Sequence, residues 1–203
     1  MRSLLLHPLA KPLVFLLCLL PLAWLVFGAA TDRLGANQAE ALTRGLGDWA
    51  LRMLCLTLAV TPLRLRTRTP QLARFRRMLG LFVFFYACLH MLAYGWLDMG
   101  FDVIEISRDI LERPFILDGF TTWLLLLPLA LTSSNRAVRA LGGRAWRSLH
   151  RLIYLIAPLA LLHFFSMRSG KNDYAEVAVY AAVIGVLLLE RLLRYFAPRP
   201  MTE

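Results

Sequence analysis

The 203-residue sequence contains few cysteines, few acidic residues and no dinucleotide-binding fingerprint. Its cysteines, Cys18, Cys55 and Cys88, lie in separate apolar runs without C-x-x-C spacing, so neither a disulfide framework nor a zinc site is indicated. Only 13 Asp and Glu residues stand against 23 Lys and Arg, and acidic residues are nearly absent from the apolar runs. This scarcity disfavours a carboxylate relay for protons or solutes. The absence of G-x-G-x-x-G argues against a nicotinamide-binding domain.

Long apolar runs are abundant, because 59% of the residues are hydrophobic and the stretches 12–30, 78–97, 119–135 and 152–167 contain no charged side chain. A membrane-spanning helix needs about 20 predominantly apolar residues. Two less uniform stretches follow the same pattern, one carrying Arg52 and one ending in Glu190, Arg191 and Arg194. The sequence therefore predicts an all-α integral membrane protein, a single six-helix transmembrane bundle with spans near 12–30, 48–64, 77–97, 116–134, 149–167 and 174–196.

The formal charge of +10 is concentrated in alternate connections between the predicted spans. Arginines cluster between the second and third spans and between the fourth and fifth, whereas the connection between the third and fourth spans is acidic. Because cytoplasmic loops carry the excess of Lys and Arg, we expect both termini to lie in the cytoplasm. The charge thus reflects topology rather than nucleic-acid binding.

Three of the four histidines, His90, His150 and His163, lie within or at the edge of apolar runs. Ionisable residues in the membrane are costly and commonly functional, and imidazole is a haem ligand. At about 1.5 Å per residue, His90 lies about 18 Å along the third helix, and His163 lies about 19–20 Å beyond His150. Both helices run outward, so His90 and His163 reach similar depth and could be the two axial ligands of one outer haem. Such a site would carry electrons.

His150 is expected near the cytoplasmic face, where it would serve a second, inner haem. The position thirteen residues before His90 is Arg77 rather than a histidine. The inner haem could therefore have one protein ligand, take Met78 or another group, or be replaced by a different cofactor. A structural alternative also stands for each histidine: His90 and His163 could make interhelical hydrogen bonds, and His150 could sit at the interface.

Arginines near these sites have two interpretations. Arg77, Arg147 and Arg151 at the inner edge could pair with haem propionates or a flavin phosphate, and Arg52 with an outer propionate. Most of the chain's arginines are instead interpreted as topology and lipid-headgroup residues.

Four stretches together resemble the MsrQ (YedZ) family: residues 76–81 (RRMLGL) opening the third helix, Leu89-His90, residues 146–151 (WRSLHR), and His163. This family belongs to the ferric reductase and NADPH oxidase transmembrane superfamily. The resemblance implies b-type haem (one or two) on His90, His150 and His163, and an FMN. It also implies a bacterial inner-membrane location, electrons from the quinone pool or a cytosolic flavin reductase, and delivery to a periplasmic, molybdopterin-containing MsrP-like subunit.

The predicted function is therefore transmembrane electron transfer in support of methionine sulfoxide repair, with no substrate catalysis by this chain. The sequence ends a few residues after the sixth predicted span, so the electron donor is expected to be a separate molecule. Two alternatives remain open: a stand-alone ferric-chelate reductase, and a histidine-based proton or solute transporter.

Overall fold

The computed structural model describes residues 5–169 and 174–196, and within these ranges all regular structure is helical. Short 3₁₀ turns occupy Pro70–Leu72 and His150–Leu152, and a π-helical turn occupies Tyr94–Asp98. In chain order the α-helices are α1 (Ala10–Ala30), α2 (Gln38–Arg66), α3 (Ala73–Ala93), α4 (Val103–Glu112), α5 (Pro114–Leu131), α6 (Asn135–Leu149), α7 (Ile153–Ser169) and α8 (Ala175–Phe196).

Among the described residues, five segments are long and apolar enough to cross a membrane: Ala10–Ala30, Gln38–Arg66, Pro70–Asp98, Pro114–Leu131 and Asn135–Ser169. On α1, Leu16, Leu20 and Trp24 remain 59%, 59% and 69% exposed, as expected for side chains that face lipid. The prediction of an all-helical membrane protein is confirmed. The sixth predicted span forms α8 but contains Glu176, Glu190 and Arg191, and the six-span count and the location of the termini stay predictions.

Two connections that the sequence pattern treats as loops contain amphipathic helices. The acidic connection forms α4, whose first turn is capped by the Asp102 side chain accepting from the backbone N–H groups of Ile104 and Glu105. The arginine-rich connection forms α6, capped by the Ser134 side chain. Both lie at the ends of α5, one before it and one after it. Because both helices mix polar and apolar residues, they contain no continuous apolar run that would predict them.

Helix α2 starts well before the predicted span at residue 48. The Asn37 side chain accepts the backbone N–H of Glu40 at 3.1 Å and caps the new start. The early turns of α2 are polar, so hydropathy alone placed the boundary too late. This extension matters because the added turns line the candidate site.

The core lies where α2 packs on α3 and α5 packs on α7, with α8 against α7 and α2. Its most completely buried large side chains are Leu54, Leu58, Tyr86, Ile156 and Ile184.

Tyr86 also ties α3 to α1 beside Pro21. Its hydroxyl donates to the Cys18 carbonyl at 2.7 Å and accepts the Leu22 backbone N–H at 3.2 Å. Cys18 and Leu22 are four residues apart, the spacing of a helical backbone hydrogen bond, so the hydroxyl bridges the two backbone groups next to Pro21. Tyr86 lies one turn before His90 on α3 and fixes the helix that presents this histidine.

Candidate functional site between helices α2, α3, α5 and α7

A cavity of about 1050 Å³ lies between α2, α3, α5 and α7. Small-molecule and cofactor sites commonly measure about 300–1,000 Å³, so this volume suits a large ligand. The walls are mainly apolar, and charged side chains join them toward the end where α2 and α5 begin. The apolar lining includes Leu51, Val83, Ala87, Leu126, Ile156 and Ala160, and the charged lining includes Glu40, Arg44, Asp48, Asp98, Arg113 and Arg168.

His90 of α3 and His163 of α7 both face this cavity, and their ring centres lie 6.1 Å apart with the ring planes inclined at 67°. A metal–imidazole nitrogen bond is about 2.0–2.1 Å long. Since the nitrogen lies about 1.1 Å from the ring centre, two imidazoles on opposite sides of one metal ion have centres about 6 Å apart. The spacing of the two histidines therefore fits a shared metal.

The Nδ1 atom of each histidine lies within hydrogen-bond distance of a backbone carbonyl oxygen. His90 Nδ1 lies 2.8 Å from the Thr43 carbonyl oxygen, and His163 Nδ1 lies 2.6 Å from that of Phe115. Because a carbonyl only accepts, Nδ1 must carry the proton and donate. The unprotonated Nε2 of each ring is then the available ligand, which is the tautomer that metal-binding histidines adopt.

The donor set favours a metal that brings ligands of its own. Within residues 5–169 and 174–196, no group of three or more His, Cys, Asp or Glu side chains is arranged to hold a bare metal ion. Two imidazoles suit haem iron, whose equatorial ligands come from the porphyrin. Thr43 contributes to the cavity lining, and its buried hydroxyl has no hydrogen-bond partner among the described residues.

His150 lies apart from this pair and does not line the cavity. Its ring stacks on Trp146 with 4.0 Å between ring centres, and its Nε2 lies 3.1 Å from the Thr132 hydroxyl. Trp146 Nε1 donates to the Thr132 carbonyl at 2.9 Å, which fixes the stack against the end of α5. The structure thus brings together two of the three predicted ligands and places the third in a separate environment.

The four arginines proposed from sequence also lie outside the cavity lining. Arg77 donates to the Asn135 side chain at 2.6 Å, and Arg147 lies beside Gly143. Arg52 donates to the Tyr180 hydroxyl at 3.0 Å and lies over the Trp49 ring at 4.8 Å. For Arg151 the structure gives no contact with the cavity.

Residues 46–161 match the family model described as "Ferric reductase like transmembrane component". Relatives from several bacteria carry the name protein-methionine-sulfoxide reductase heme-binding subunit MsrQ. The one from Polaromonas naphthalenivorans is 62% identical over 95% of this chain and 88% of the relative. Those from Herminiimonas arsenicoxydans and Caulobacter vibrioides are 49% and 46% identical, over 91% and 89% of this chain and 84% and 85% of each relative. The chain belongs to the MsrQ family. No solved structure matches it.

In this MsrQ family member, three arginines that line the cavity were not predicted as site residues from the sequence. Arg44 lies 2.5 Å from Glu40, Arg113 lies 2.8 Å from Asp109, and Arg168 lies 2.6 Å from Glu176. Arg168 follows His163 on α7, and Arg44 lies on the polar turns that precede the predicted second span. The Asn37 cap signal would have extended α2 and indicated Arg44. Asp48, at the start of the predicted second span, is a further lining residue that the sequence pattern did not indicate.

Proposed function

We propose that this protein carries electrons across a bacterial inner membrane through haem b, with His90 and His163 as the axial ligands of an outer haem. Haem supplies a one-electron redox centre whose potential depends on its ligands and surroundings. The observation that carries the proposal is the 6.1 Å separation of the two ring centres across one cavity, which suits two ligands on one iron. Since both axial positions would be filled by protein, the site is suited to electron transfer rather than to binding oxygen or a substrate.

The chain's own residues set the environment of this site. Thr43 and Phe115 hold the protons of the two imidazoles on Nδ1 through their carbonyls. The apolar walls of the cavity limit access of water. Three cations also line it: Arg44, Arg113 and Arg168. We assign these cations to the haem propionates, because guanidinium groups pair well with carboxylates and because these three line the cavity, whereas Arg52 does not.

The orientation follows from the charge distribution. With six spans and both termini in the cytoplasm, the arginine-bearing helix α6 faces the cytoplasm and the acidic helix α4 faces the periplasm. The cavity, whose lining includes Asp98 and Met99 before α4, then opens toward the periplasmic side. This arrangement supports delivery of electrons to a periplasmic, molybdopterin-containing MsrP-like subunit.

On the cytoplasmic side we propose electron entry from the quinone pool or a cytosolic flavin reductase. His150 marks the inner site, where a second haem or the FMN would be held. The Trp146 stack and the Thr132 contact keep this imidazole in one orientation. The relatives' name, a heme-binding subunit of a protein-methionine-sulfoxide reductase, supports repair of oxidised proteins as the purpose of the electron flow. With the proposed periplasmic delivery, the repaired proteins would be periplasmic.

The test is a reduced-minus-oxidised spectrum and haem quantification of the purified protein and its histidine variants. The wild type should show a Soret band and α/β bands on reduction, and His90→Ala and His163→Ala should each abolish the same outer-haem signal. His7→Ala is a matched control, since His7 is exposed and caps only the backbone N–H of Leu9. A haem-free wild type purified from haem-replete cells, or an unchanged signal in either cavity variant, would refute the assignment.

A stand-alone ferric-chelate reductase is the second candidate, favoured by the description of the matching family model. The two functions differ in what deletion of the protein does to cells. Loss of methionine sulfoxide repair with unchanged iron reduction supports the first function, and the reverse supports the second.

A further inference from the structure

Two glycines lie directly against the two cavity histidines. A Cβ atom added at Gly47 would lie 3.1 Å from both Cε1 and Nδ1 of His90. One added at Gly119 would lie 2.7 Å from Cε1 and 2.9 Å from Nδ1 of His163. Contacts below 3.0 Å are not compatible with a real Cβ, so the ring of His163 occupies space that any side chain at position 119 would need.

The same local arrangement occurs on both helices. His90 donates to the carbonyl of Thr43, four residues before Gly47 on α2, and His163 donates to the carbonyl of Phe115, four residues before Gly119 on α5. In an α-helix the carbonyl of one residue accepts the backbone N–H of the residue four positions later. Each imidazole therefore approaches a carbonyl that already belongs to the helix, from the side on which the glycine's side chain would stand.

We propose that Gly47 and Gly119 are positioning residues that cradle the two imidazoles: the missing side chain lets each Nδ1 reach a helical carbonyl, and each Nε2 is thereby presented to the cavity. This inference rests on the proposed function for the role of Nε2 as a ligand. Glycine in the middle of a helix is otherwise unfavourable relative to alanine, so a gain elsewhere must offset its presence at both positions.

Nearby glycines supply matched controls. Gly45, two residues before Gly47 on α2, is as crowded as Gly119, but its added Cβ would meet the Leu25 side chain at 2.7 Å. Gly80, on the helix that carries His90, would meet nothing closer than 3.8 Å. Gly45→Ala therefore reports steric disturbance of helix packing without a histidine, and Gly80→Ala reports the change in helix propensity alone.

The first experiment measures thermal unfolding of the full-length, haem-free protein in detergent as a double-mutant cycle. Gly119→Ala should lower Tm by about 5 °C when His163 is present, because the ring must move or the helix must shift. In a His163→Ala background the same substitution should leave Tm unchanged or raise it. Gly47→Ala should lower Tm in the same way when His90 is present, but not in a His90→Ala background. The decrease should be smaller than for Gly119→Ala, because the added Cβ would lie 3.1 Å from the His90 ring and the ring would have to move less. Gly45→Ala should change Tm equally in every background. Equal effects of Gly119→Ala with and without His163 would overturn the cradle.

The second experiment measures the midpoint potential of the haem-loaded protein. A hydrogen bond from Nδ1 makes the imidazole a stronger donor to a metal, so weakening this bond should raise the potential. Gly47→Ala and Gly119→Ala should each shift the potential upward, whereas Gly45→Ala and Gly80→Ala should not. If His90 and His163 prove necessary for haem while the cradle variants match their controls, the cradle is wrong and the proposed function stands. A third outcome is coupling between glycine and histidine in the Tm cycle together with no haem binding. The contact between each glycine and its histidine would then be established, but its role in presenting a metal ligand would be wrong, as would the proposed function.

Discussion

Removal of the Tyr86 hydroxyl should loosen the helix that carries His90 without removing a ligand. Tyr86 is fully buried, and its hydroxyl links α3 to α1 through one bond to the Cys18 carbonyl and one from the Leu22 N–H. A hydrogen bond contributes about 0.5–1.5 kcal/mol net, and a buried group left unpaired costs about 1–3 kcal/mol. In Tyr86→Phe the Cys18 carbonyl and the Leu22 N–H can pair with each other. We therefore expect a loss of about 1–2 kcal/mol in the free energy of unfolding.

For a chain of this size, 1 kcal/mol corresponds to a change of about 2–4 °C in Tm, so Tyr86→Phe should lower Tm by about 2–8 °C. The assay is thermal unfolding of the purified protein in detergent, with haem content measured on the folded fraction. Tyr195→Phe is the control, because Tyr195 is 77% exposed and its hydroxyl should contribute nothing to stability.

Haem bound per folded molecule should stay constant in Tyr86→Phe, since the side chain does not line the cavity. A Tm equal to that of Tyr195→Phe would refute the reasoning about the hydroxyl. A lower haem content in folded protein would instead show that the α1–α3 link controls the position of His90.

Three further perturbations are predicted. Asp109→Ala should remove the carboxylate that accepts from the Tyr94 hydroxyl at 2.6 Å and from Arg113 Nε at 2.8 Å. The free energy of unfolding should fall by about 1–3 kcal/mol, and amide hydrogen exchange in α4 should become faster, whereas Glu112→Ala should leave this exchange unchanged. Arg168→Met should lower the midpoint potential of the proposed outer haem by removing a cation from the cavity wall. Arg52→Met should lower it less, because Arg52 does not line the cavity; equal shifts would contradict the assignment. His150→Ala should leave the spectrum that depends on His90 and His163 intact, and its loss would mean that the two sites are not separate.

Much of the fold could be predicted from sequence because bilayer thickness fixes the length of a spanning helix. A continuous apolar run reveals such a helix whatever its neighbours are, as for α1 and α5. The helices that were missed, α4 and α6, have alternating polar and apolar faces and lie in connections rich in charge. Their formation depends on caps at Asp102 and Ser134 and on packing, which a count of apolar residues does not register.

The sequence predicted how deep the candidate ligands lie in the membrane, but not which side chains surround them. Residue rise along a helix is regular, so counting from the start of each predicted span placed His90 and His163 at similar heights, and the structure has them facing one cavity. The partners of a side chain depend on how the helices rotate about their axes. This rotation decides that Arg168 faces the cavity while Arg52 faces Tyr180, and no single-helix pattern contains it.

His150 and His163 are thirteen residues apart, and the structure places them in different surroundings. Thirteen residues on one straight helix separate two side chains by about 140°, which would point the two imidazoles to different sides. In the structure His150 belongs to a 3₁₀ turn between α6 and α7, and only His163 lies on α7. The two imidazoles have different surroundings, so they need not point in the same direction. Trp146 and Thr132 contact His150, whereas Phe115 and Gly119 contact His163. Substitutions at one site should consequently leave the contacts of the other unchanged, so that the two proposed sites can be tested one at a time.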